Sequence, residues 1–545
     1  MHYSPLTFFA LATFALTTCV LSAAACGDGV SPTSGTTSGT GGGSSSGSSS
    51  SVSTAGVGGM ATAGTGGATS TAGTGGATTS GTGGMASSST GMMACVPSGP
   101  ETCQDPADED CDGKECGVWA RVFGSPGFFG TADYSSVTPS GEVYFSGLIA
   151  GSFQFGGMTV TTDVDHKLVI AKLSASGDDV WIRKLPTQGS GVLAPLAVTP
   201  AGGVVFAVAF DKTLNLGGQD LVPDGVGLAD TAIAAFAPDG SHIWSKIVAG
   251  PSTVSINRVA VSPSGKVAVL GSSTGAVTYD GQPITAAAGR FLFEVDSTDG
   301  SLTWSQAFPG PTKPMLNILA FDANGNIVVA GDYTASFSLG GPALPAAAPG
   351  NTAAFVTRFD ANGNHLKSTK FCDGSCNIKS SFAAGLNGEL YVTGYIQGTA
   401  KIGGMTLTVG ESFILQLTAN DDVAWLHPFT RPSNSFKSPA IPDVAVKANG
   451  QVMFLELFHD DISFGLGTVN AKGAVDAVFG AINPDGTASW YRSFGAPGAT
   501  FGGALNVQPT GEVTIAGYFV GAADIGSGAF ASTGNRDMMV LRFAP

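Results

Sequence analysis

The sequence predicts an all-β fold, a seven-bladed β-propeller of four-stranded blades, and three observations carry that prediction. One unit of about 61 residues recurs seven times between residues 117 and 545. All six tryptophans (Trp119, Trp181, Trp244, Trp304, Trp425 and Trp490) fall at one position of the unit. Every unit also carries a turn glycine followed by a β-rich run, at Gly141, Gly202, Gly265, Gly325, Gly388, Gly450 and Gly511. Four antiparallel strands per unit, joined by glycine turns, is the pattern of a propeller blade.

The strands are read in order as a, b, c and d. Strand a precedes the first turn, and strand b follows it, as in TPSGEVYFSG and DANGNIVVAG. An alternating run ending in a glycine pair, such as FQFGG or FSLGG, lies between b and c. Strand c runs into a second turn and then into d, the tryptophan strand, as in FAPDGSHIW. Lys367 fills the one tryptophan slot left empty. The repeat region opens with a lone d strand, Val118–Phe123, and ends with a, b and c, finishing at DMMVLRFAP. Pairing these ends completes the seventh blade and removes a sheet edge. The a–b and c–d turns are short and share one face. The longer b–c and d–a connections share the other, where binding is expected because long loops on a rigid scaffold carry function.

Three segments precede the repeats. Residues 1–25 read as a secretory signal, with the apolar run PLTFFALATFALTTCVLSAAA. Ala23-Ala24-Ala25-Cys26 offers ordinary cleavage after Ala25, and it also resembles a bacterial lipobox whose cysteine carries lipid. Cleavage there leaves an odd number of cysteines, and lipidation of Cys26 accounts for the odd one. The expected location is the outer membrane or cell surface, or otherwise the periplasm or medium. Residues 26–94 hold Cys26 and a Gly/Ser/Thr-rich linker that buries too little surface to order itself. Residues 95–116 are rich in Cys and Asp. Asp108, Asp110 and Asp112 with Gly113 alternate as a calcium loop requires, although Trp119 stands where a closing glutamate belongs. The competing reading is an acidic knot stapled by two bridges among Cys95, Cys103, Cys111 and Cys116.

The repeats resemble the bacterial β-propeller repeat family whose units read like "AVDPSGNVYVTG…FVAKLDASGNVLW", surface and secreted proteins of mostly unassigned chemistry. The segment at 95–116 is similar to the acidic metal-binding motif of bacterial surface proteins, matched by Glu101, Cys103, Asp110, Cys111, Asp112 and Gly113. The turn before Trp304, Asp296–Trp304, resembles the tryptophan-docking motif of quinoprotein dehydrogenases, which implies an enzyme assembled from several blades as the rival class. Those enzymes generally have eight blades and often adjacent cysteines, and this chain has neither.

Other candidate residues are few. Cys372 and Cys376, in FCDGSCN, are expected to staple a d–a loop as a disulfide. Glu456 takes the place that Gly147, Gly271, Gly331, Gly394 and Gly517 hold in other units, and His459, Asp460 and Asp461 follow it as the one cluster that breaks the repeat. No catalytic motif is legible. A net charge of −16 argues against nucleic acid and anionic lipid as partners. The expected function is non-enzymatic binding of a protein or glycan, with calcium as the only candidate cofactor and the lipid as the only membrane contact. Replacing Cys26→Ser is expected to release the chain from membranes and abolish labelling by a fatty-acid analogue. Unchanged membrane fractionation contradicts the anchor.

Overall fold

The computed structural model describes residues 117–185, 195–224, 229–251, 253–309, 314–431, 443–496, 500–524 and 529–545. The signal, Cys26, the linker and the segment with Cys95, Cys103, Asp108, Asp110, Cys111, Asp112 and Cys116 lie outside these residues.

Among the described residues every regular element is a β-strand, and the strands repeat one antiparallel order. The unit around Trp304 shows it most simply. Strands a (Val254–Val261), b (Lys266–Ser273), c (Gly289–Asp296) and d (Leu302–Pro309) pair in chain order as one sheet. Strands b and c are almost wholly buried, whereas d is half-buried apart from the exposed Thr303 and Pro309. The same order recurs in Tyr134–Lys184, Leu196–Ala249 and Asp443–Phe494. These sheets of four radial strands are of the propeller type.

The two ends of the repeat region meet as expected. Strand d at Gly117–Phe123 pairs antiparallel with c at Asp537–Phe543, with Ala120 opposite Leu541 and Val122 opposite Met539. Strands Val513–Val520 and Thr500–Val507 complete that sheet.

Contacts between neighbouring units explain the tryptophans. Five indole N–H groups donate to a carbonyl in the c–d turn of the next unit: Trp119 to Ala175, Trp181 to Pro238, Trp244 to Ser297, Trp304 to Ala361 and Trp425 to Pro484, at 2.8–3.0 Å. The ring lies on the turn glycine. A Cβ at Gly300 would stand 2.6 Å from Trp244, and one at Gly177 would stand 2.7 Å from Trp119. Both glycines also have positive φ, so they are required twice over. Lys367 replaces the indole by donating to the Asn420 carbonyl and facing Asp421. Asp421 itself takes the glycine's place with φ 62°, a conformation aspartate tolerates better than most residues. A third position, on strand c, adds cations: Lys172 reaches the Pro238 carbonyl, Arg358 the Gly388 carbonyl and Arg542 the Gly141 carbonyl, each in the next unit.

Two connections differ from expectation. The b–c connections do not stand as loops on the face opposite the turns. Val277–Tyr279 and Gln282–Thr285 form a hairpin that adds to strand d of the preceding unit, with Tyr279 opposite Val248. The glycine pairs of FSLGG and LNLGG lie against His365 and His242, at the start of strand d, and so at the turn end. The length of these connections is used to cover an outer edge that would otherwise expose unpaired backbone groups. The segment with Cys372 and Cys376 is likewise no loop. The cysteines are joined as a disulfide, but His365–Ala384 is one continuous strand serving as d of one unit and a of the next. It is held extended because strand Leu390–Ile402 runs past the usual end of b and pairs with it, setting Cys372 opposite Ile402 and Cys376 opposite Ile396.

The Lys367/Asp421 exchange is testable by a double-mutant cycle. Lys367→Trp alone should destabilise, because the Asp421 side chain occupies the indole's place. Adding Asp421→Gly should recover about 0.5–3 kcal/mol beyond additivity. Urea midpoints measure this, and strict additivity contradicts the account.

Candidate functional site

Three features bear on function: the linked inner strands, the buried Glu456 and a cavity at the turn end of strands a. The innermost strands present edge N–H and C=O groups that no fifth strand pairs, and side chains of neighbouring units take that role. Ser136 Oγ accepts from Val198 N at 3.2 Å, and Asn317 Nδ2 donates to the Ile378 carbonyl at 2.7 Å. Ser381 Oγ accepts from Val444 N at 2.7 Å, and Asp443 Oδ2 accepts from Leu505 N at 2.5 Å. Asn506 Nδ2 donates to Ser135 Oγ at 2.7 Å, linking the last inner strand to the first. Asp443 also accepts from Ser381 Oγ, and burial pushes its carboxyl above the usual range. These residues staple units together.

Glu456 owes its setting to the residue it replaces. A Cβ at Gly147, Gly331 or Gly517 would stand 1.7–1.8 Å from a backbone carbonyl entering the inner strand, from Thr131, Met315 and Gly502 respectively. Glycine therefore admits that backbone. In its unit the described part of the inner strand runs from Asp443, which stands opposite Leu455, the residue before Glu456. The side chain is wholly buried. Its Oε1 accepts from Ser412 Oγ at 3.0 Å and from an Arg431 terminal nitrogen at 3.1 Å. Among the described residues its Oε2 and the Arg431 Nε have no partner. Burial pushes the carboxyl up to about 7, with Arg431 and Ser412 drawing it partly back.

The cluster expected beside Glu456 does not join it. His459 Nδ1 lies 2.8 Å from the Ala474 carbonyl, and Asp461 accepts from Ala471 N at 2.9 Å, so both order the b–c connection of their own unit. His459, Asp460 and Asp461 are not among Glu456's partners. Arg431 and Ser412 carried no signal in the sequence, because each meets Glu456 only through the packing of adjacent units.

At the turn end of the inner strands, residues of three neighbouring units line an open depression of about 370 Å³. Ala260, Leu319, Ala320, Phe321, Phe382 and Leu386 line it, with Asp322 and small turn residues at its margin. Phe321 and Phe382 are half-buried, and Leu386 is 68% exposed.

No family model matches the chain, and no curated protein matches it. Solved structures with a similar fold include BamB from Moraxella catarrhalis, at 11% identity and TM-score 0.30, covering 76% of this chain and 85% of that one. The WD40 domain of SCAP from fission yeast is similar at 11% identity and TM-score 0.34, covering 78% of this chain and 97% of that one. A puromycin hydrolase mutant is similar at 13% identity and TM-score 0.37, covering 74% and 54%. The likeness concerns fold alone.

Burial of Glu456 sets a pH dependence. Its folded-state value lies above the ordinary one of 4.5, so the stability that the neutral carboxyl contributes is fully present below pH 4.5. That contribution is lost as pH rises through about 7. Glu456→Gln cannot ionise and should flatten the fall in stability between pH 5 and 8 by about 1–3 kcal/mol. Urea midpoints of both proteins across that range measure the difference. Parallel curves contradict it.

Proposed function

We propose that residues 117–545 form one closed seven-bladed propeller, carried by an exported, lipid-anchored chain that acts as a non-enzymatic binding scaffold. The ring reading is supported by the seven sequence repeats, the pairing of Gly117–Phe123 with Asp537–Phe543, and the Asn506–Ser135 bond between the last and first inner strands. An open stack would leave those edges unpaired. The anchor reading rests on Cys26 and the cysteine parity of the sequence. Calcium at Asp108, Asp110 and Asp112 belongs to the same proposal and plays no part in binding by the propeller.

One observation carries the binding reading: the open, mainly apolar depression of about 370 Å³, lined by strands of three units. Its size falls within the roughly 300–1,000 Å³ of ligand pockets. Its lining suits an apolar side chain better than a sugar, so a protein partner is favoured over a glycan. Loop length, which pointed to the opposite face, loses weight because b–c connections turn back along the rim.

The test uses the immobilised full chain and envelope extract, with Ala320→Trp to fill the cavity. Ala320 is only half-buried, so the variant is expected to keep its melting temperature. Saturable capture that the variant loses supports the reading. Capture unchanged by the variant overturns it.

A further inference from the structure

The cavity opens amid a particular distribution of charge. Strands a and b, and c and d, are antiparallel pairs, so the a–b and c–d turns lie at one end of every unit. The cavity sits at the a–b turns, and the c–d turns stand outside it. Aspartate recurs in the c–d turns: Asp178, Asp239, Asp299, Asp360, Asp422 and Asp485. Glu389 adds a carboxylate beside the cavity residue Leu386.

These carboxylates have a local cause. Asp239 accepts from Ser241 N, Asp299 from Ser301 N, Asp360 from Asn362 N and Asp485 from Thr487 N, each two residues on, at 2.8–3.0 Å. Such turns favour aspartate for its backbone bond. Side-chain hydrogen bonds from Ser241, Asn364 and Thr487, and for Asp299 the Ser301 backbone N–H, together with these backbone bonds hold the four acids below the usual carboxylate range, so all stay charged at neutral pH. The consequence reaches beyond the turns. None of the six aspartates, nor Glu389, has an ion-pair partner among the described residues. The cations of this end are already engaged: Lys172 with Glu142, Lys266 with Asp296, Arg358 with Asp322 and Asp421, Lys367 with Asp421, and Arg542 with turn carbonyls. Lys447, half-buried at the end of its inner strand with its pKa lowered by burial, and Arg183, whose charge acts on Asp239, make no ion pair among the described residues.

We propose that this end of the propeller docks a cationic segment of a partner protein, with a Phe or Leu side chain entering the cavity beside Leu386 and flanking Lys or Arg side chains over the turn aspartates. The proposal rests on the binding reading above and adds the partner's chemistry. Apolar burial supplies the anchor, as it does for interface hot spots. The carboxylates, which make no ion pairs of their own, select the sign of the flanking charge and speed encounter at low salt. An acidic peptide or a neutral glycan meets repulsion or an unmatched apolar surface.

Fluorescence anisotropy with the full chain tests it against three synthetic peptides. One places Phe-Leu between lysines, one replaces the lysines with glutamates, and one replaces Phe-Leu with Ser-Ser. The first is expected to bind saturably and to weaken at least tenfold in Ala320→Trp, and again at 500 mM salt. The other two should bind at least tenfold more weakly. Equal binding of the glutamate peptide, no loss in Ala320→Trp, or no binding of the first peptide overturns the proposal. If capture from extract still depends on Ala320 while the lysine peptide fails, the partner chemistry is wrong and the binding reading stands. If both fail, both fall.

Discussion

The indole on the neighbouring turn glycine is the contact on which the rest of the architecture depends. A blade of four strands buries b and c but leaves two flat faces that cannot fold alone. Trp119, Trp181, Trp244, Trp304 and Trp425 each cover apolar area, make one directed hydrogen bond and tolerate only glycine beneath the ring. These demands fix the distance and the register of adjacent sheets together. The unit with Lys367 supports the reading, because both halves of the contact changed at once: the ring became a cation and the glycine became Asp421. An aspartate beneath an indole would clash, and a lysine above a glycine would lack its counter-charge.

Once the sheets are held in this way, their inner and outer edges become the remaining problem. At the inner edge, serine, asparagine and aspartate side chains bond the backbone of the next strand, so polar residues at the centre are bound up in assembly. At the outer edge the b–c connections fold back as extra strands or bridges. Glu456 is the costly exception. A buried carboxylate with one oxygen unpartnered is retained beside Arg431 where glycine serves five other units. An ion pair of this kind gives little net stability, because desolvation offsets its attraction.

Charge is distributed by the same turns that make the fold. Several cations at the turn end, Lys172, Arg358 and Arg542 among them, are engaged with carboxylates or turn carbonyls, and the c–d turn aspartates make no ion pairs among the described residues. Carboxylates therefore gather at the end where the depression also opens.

The sequence by itself determined the repeat, the four-strand order, the place of each tryptophan and turn glycine, and the pairing of the first strand with the last. Those signals are local: each is a pattern inside one unit, copied about 61 residues later, and copying makes it legible. The tertiary structure decided what happens between units. Sequence length alone made the b–c connections look like free loops, and only packing shows one of them, Val277–Thr285, lying as a hairpin on the edge of the preceding sheet. The spacing of Cys372 and Cys376 suggested a loop, and only the overlong strand Leu390–Ile402 shows why the segment stays extended. Glu456 was visible as an oddity, but its partners Ser412 and Arg431 lie 44 and 25 residues away and were not. The cavity was invisible for the same reason: Ala260, Ala320 and Phe382 are ordinary strand residues until three units bring their turn ends together.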